Sequence, residues 1–123
     1  MVKSTYFVKK WGKMLHIYDP IFRRNFWYQK VKDKEESKKI FKKLGIDYEF
    51  KDNTSGGFAV YEKFGQEICI MWTGGKSNDI VHECTHATRW VMEMAGIEHT
   101  KETDEIYAYH TAFLFRAITQ LGR

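Results

Sequence analysis

Proline is nearly absent from this chain, cysteine is scarce, and no long apolar run occurs. The single proline, Pro20, excludes a proline-rich extended segment. Two cysteines, Cys69 and Cys84, cannot form the disulfide framework of a small secreted domain, so a reducing cytoplasm is the expected compartment. No stretch approaches the ~20 apolar residues of a transmembrane helix. The opening segment, Met1 to Lys10, lacks the apolar centre of a signal peptide. Internal repeats, linkers and low-complexity tracts are also missing. The expectation is one domain spanning 1–123, without a membrane partner.

What is present points to a packed fold. Hydrophobic residues make up 43% and aromatics 16% of the chain, too much apolar surface for a disordered segment. The charge is unevenly placed. Residues 1–50 carry 13 Lys/Arg against 6 Asp/Glu, a balance of +7, and residues 51–123 carry 7 against 10, a balance of −3. A basic half can favour acidic partners. No recognised nucleic-acid motif accompanies it, so a nucleic-acid partner is not expected.

Alternating apolar residues predict strands at Met14–Tyr18 and Asn25–Val31, with Asp19-Pro20 as the turn between them. His16 reads as a half-buried strand histidine. A helix is predicted over Asp33–Leu44, opened by Asp33 and Glu36 as a capping box and closed by Gly45. Ile40, Phe41 and Leu44 would hold it to the sheet. Ile46–Phe50 reads as a further strand and 51–57 as a polar turn. Phe58–Tyr61 and Glu67–Trp72 follow as a hairpin, whose open edge could take an extended peptide by strand addition. A helix then runs from Ser77 or Asn78 to Gly96. Its inward stripe is Ile80, Cys84, Ala87, Val91 and Met94. A last helix runs from Thr103 to Leu121, with one face formed by Ala108, Ala112, Phe115 and Thr119.

The helix after the hairpin carries His82-Glu83-Cys84-Thr85-His86. Positions i and i+4 share a helix face one turn apart, so both imidazoles can reach one ion. Glu83 is placed to reach a water on that ion as general base. Cys84 lies on the opposite side and reads as core. A catalytic zinc usually takes three protein ligands, and the third must come from elsewhere in the fold. Asp104 and Glu105, at the head of the last helix, are both available. Neighbours on a helix point about 100° apart, so only one should face the metal.

His82-Glu-x-x-His86 followed by Glu105-Ile-Tyr-Ala108-Tyr109 resembles the gluzincins, the thermolysin-like metallopeptidases, over roughly the last third of the chain. The same segments resemble small zincin-like proteins encoded by bacteriophages. The resemblance implies an α+β, minimal zincin-like fold, with a mainly antiparallel sheet packed on the active-site helix and a C-terminal ligand helix. It implies zinc held by His82, His86 and Glu105, with Glu83 as base. Tyr109 stands where many gluzincins have an aspartate, and is expected to orient a histidine or donate to an oxyanion. The implied function is zinc-dependent cleavage of a peptide or protein substrate. The alternatives are a zinc-stabilised binding protein without turnover, such as a phage-derived factor acting in the host cytoplasm, and a basic host-interaction module whose histidines bind no metal.

Overall fold

The computed structural model describes residues 7–45, 56–63 and 65–121. Five strands form one sheet: β1 (Val8–Trp11), β2 (Met14–Asp19), β3 (Arg24–Lys30), β4 (Gly56–Lys63) and β5 (Gln66–Thr73). Three α-helices accompany it: α1 (Lys34–Leu44), α2 (Ser77–Met94) and α3 (Asp104–Arg116), the last running into a π-helical turn over Ala117–Leu121. The fold is therefore α+β. Strand order is β1-β2-β3-β5-β4, antiparallel except for β3 against β5. No helix among the described residues is long and apolar enough to cross a membrane.

Side-chain alternation gives the sheet two apolar faces. Leu15, Ile17, Phe26, Tyr28, Cys69 and Met71 point to one face and meet Ile80, Cys84, Ala87 and Val91 of α2 and Leu114 of α3. Met14, Ile70 and Trp72 point to the other and meet Ile40 and Phe41 of α1. Each large side chain buried this way contributes about 1.5–3 kcal/mol.

The expected strands and helices match β2 to β5 and α1 to α3 within a few residues, and β1 is an addition. Asp33 caps α1 by accepting from the Glu36 N–H at 2.9 Å. Glu36 reaches back to the Lys32 N–H at 3.0 Å, one residue earlier than a standard capping box. Gly45 closes α1 in the left-handed region at φ 69°. The strand expected at Ile46–Phe50 lies outside the described residues. Gly56 and Gly57, read as turn, begin β4. At α2, Lys76 and not Ser77 or Asn78 holds the N-cap position. Met94, expected inside, is exposed, while Met92 is fully buried. Thr88 and Met92 join the buried face of α2, and Thr88 meets His110 and Thr111 of α3.

Candidate metal centre

His82 and His86 lie on the exposed side of α2, with their Nε2 atoms 3.1 Å apart. Two ligand atoms about 2.05 Å from one tetrahedral ion would sit roughly 3.3 Å apart. The pair is thus pre-set at nearly the spacing a single zinc requires. Glu83 completes a group whose three ligand atoms all lie within 4.8 Å of one another.

The surroundings hold each member in place. The His86 ring stacks on Phe58 of β4, with centroids 6.2 Å apart and planes at 22°. His82 meets His86 edge-on at 4.7 Å. Glu83 is buried at 7% exposure and turns toward the start of β4. A Cβ on Gly56 would stand 3.4 Å from Glu83 Oε2 and 2.9 Å from the Trp72 carbonyl oxygen. The bare backbone at Gly56 therefore makes room for the carboxylate. Beside it, a Cβ on Gly57 would collide with the Trp72 ring at 2.3 Å. Among the described residues β4 pairs only with β5, so the group stands beside an edge strand.

Burial raises the Glu83 pKa, Asp79 adds to the rise and His82 opposes it. A raised pKa makes the carboxylate a stronger base for a proton taken from water. Burial, His82 and Arg89 together lower the His86 pKa, favouring the neutral imidazole that a metal needs. The thiols are withheld from such chemistry. Cys69 and Cys84 are free and buried, and burial pushes Cys84 up to about 12.

The structure brings His82, Glu83 and His86 together and leaves Glu105 and Tyr109 apart from them. The inner stripe of α3 is His110 and Leu114, continued by Ala117 and Ile118 of the π-helical turn. At 100° per residue Glu105 falls about 160° from the centre of the His110–Leu114 stripe, on the outer face. It is exposed and outside the metal-ligand group. Tyr109 is 71% exposed and lines a separate cavity with Ile106 and Phe113. Asp104 accepts from His99 Nε2 at 2.7 Å. Asp104, His99 and His86 all line one groove of about 990 Å³ between α2 and α3. Ala108, Ala112 and Phe115, expected as a packing face, line this groove too.

His110 is buried between the sheet and the two helices. Its Nε2–H donates to Asp19 Oδ2 at 2.6 Å, and its Nδ1 pairs with Thr88 Oγ1 at 2.8 Å. Thr111 donates to Thr88 at 3.1 Å. Asp19 Oδ1 also accepts the N–H groups of Ile21 and Phe22. One buried relay thus ties the β2–β3 turn to α3 and α2. No signal for it exists in the sequence beyond Asp19 in a turn. His16 bonds Asn25 Oδ1 at 2.8 Å and packs against the Trp27 ring at a 30° tilt.

No protein family, curated protein or solved structure matches this chain.

Proposed function

We propose that the protein is a zinc-dependent hydrolase of minimal zincin-like fold, cleaving peptide bonds in an extended substrate. The observation that carries this reading is the 3.1 Å approach of His82 and His86 with the buried Glu83 carboxylate beside them. His82 and His86 would hold the ion, which supplies a Lewis acid and a water of lowered pKa when bound. Glu83 accepts the proton of the attacking water and returns it to the leaving amine. The edge of β4 offers backbone groups to an extended peptide, and Phe58 fixes the angle of the His86 ring.

A second reading is favoured by one observation. Two imidazoles are one fewer than the usual three protein ligands of a catalytic zinc, and among the described residues no third joins them except Glu83 itself. On that reading the ion is bound without turnover.

The experiment is metal analysis of untagged protein, followed by Glu83→Gln. About one zinc per chain is expected, and Glu83→Gln keeps the metal while losing turnover of a peptide library. No metal uptake from added zinc overturns both readings. Metal with no turnover in the parent selects the second.

A further inference from the structure

The chain has a second organised region, at the opposite ends of the strands from the β2–β3 turn. Strands β3 and β5 lie side by side and parallel. Helix α1 leaves β3 toward one face of the sheet, and α2 leaves β5 toward the other. Adjacent parallel strands whose helices part in this way open a crevice at their carboxyl ends, the place where open α/β sheets bind ligands. A cavity of about 500 Å³ lies at this end of the sheet, lined by Lys10 and Lys13 of the β1–β2 hairpin, by Tyr28, Lys30 and Val31 at the end of β3 and by Gly74 after β5. Ligand pockets are commonly about 300–1,000 Å³.

The lining is strongly cationic. Lys10, Lys13, Lys30 and Lys32 face it against one acid, Glu36, so four positive charges less one negative leave +3. Glu36 is already engaged, by Lys13 at 3.3 Å and by the Lys32 N–H at 3.0 Å. Lys10 and Lys30 have no ion-pair partner among the described residues. Lys30 runs along the backbone after β5. Its stem crosses Gly75, where a Cβ would stand 2.7 Å from Cε, and Gly75 itself sits at φ +98°. The positive φ is what calls for glycine there, and the lysine stem lies over its bare backbone. Leu15, Val31 and Ile118 supply apolar lining.

We propose that this crevice binds a small organic phosphate of mononucleotide size, its phosphates on Lys10 and Lys30 and its ring against the apolar lining. Lysine ammonium groups serve phosphates as compact point charges. The cations converge on one cavity, which suits a compact ligand. The inference is independent of the zinc reading, because the two regions share no residue.

Calorimetric titration at low salt tests it with ADP, pyrophosphate, adenosine and a single-stranded oligonucleotide. ADP and pyrophosphate are expected to bind, and adenosine, lacking phosphate, is not. The double variant Lys10→Gln/Lys30→Gln should weaken ADP binding by about tenfold or more, as expected for losing charged contacts. Lys39→Gln, on the exposed side of α1, should leave it unchanged. All three lysines are exposed, so the fold should survive. Should the double variant not fold, Lys30→Gln alone carries the same expectation. No binding of ADP or pyrophosphate at millimolar concentration overturns the proposal. So does an equal loss in Lys39→Gln, or an oligonucleotide that binds about tenfold more tightly than ADP.

Discussion

His82 and His86 meet because the helix repeat puts i and i+4 on one face, and this part of the site is readable from five letters of sequence. Glu83 is subtler. Its place next to the histidines follows from the motif, but its burial depends on the missing side chain of Gly56 across from it. The third expected ligand, Glu105, lies apart from the histidines for a different reason. The face of α3 that turns inward carries Leu114 and His110, and the partner of His110 is Asp19, 91 positions away. That rotation carries Glu105 outward. The geometry therefore predicts that His82→Ala abolishes zinc binding while Glu105→Ala leaves it near the parent value. Titration against a competing chelator measures both. A loss of about tenfold or more in Glu105→Ala, the scale of removing a metal site's supporting partner, would return Glu105 to the ligand set.

At the scale of elements, local chemistry was legible and long-range pairing was not. The Asp33 cap, the Gly45 stop and the hairpin β4–β5 all follow from residues within a few positions of one another. The parallel contact of β3 with β5 spans the whole of α1 and β4, and no periodicity announces it. β1 was missed because only Val8 of its four residues is buried. Two substitutions test the element-level account by thermal and urea unfolding. Asp33→Ala removes the acceptor for the Glu36 N–H and should cost about 1 kcal/mol. Gly57→Ala forces a methyl against the Trp72 ring and should cost about 1–3 kcal/mol, the range for overpacking a closed core. A Gly57→Ala protein as stable as the parent would show that Trp72 has another place to go.

For the whole molecule, the buried relay from Asp19 through His110 to Thr88 matters more than any surface pair. It joins the sheet to both helices on its inner face, and Asp19 and His110 are nearly sealed from water at 2% and 5% side-chain exposure. Burial opposes the Asp19 charge. The hydrogen bond and charge of His110, with the N–H groups of Phe22 and Ile21, outweigh burial and lower the Asp19 pKa below its ordinary 3.8. A depressed carboxylate stabilises the fold at pH values above its unfolded pKa, and that contribution is lost as pH falls through the folded value. The parent should therefore lose stability below about pH 4, where the unfolded chain takes up the proton first. Asp19→Asn lacks this titration, so its stability should fall less steeply between pH 5 and pH 3. Asp19→Ala leaves His110 and two backbone N–H groups without their acceptor, and at pH 7 should cost about 3 kcal/mol, the scale of breaking a buried pair from one side. Against a total of roughly 5–15 kcal/mol for a domain, that loss is large enough to shift the urea midpoint visibly. Urea unfolding of the parent and both variants at pH 7, 5 and 3 measures the effect. Parallel pH dependences in parent and Asp19→Asn would mean that the acid sensitivity lies in other carboxylates and that the relay is held by shape rather than charge.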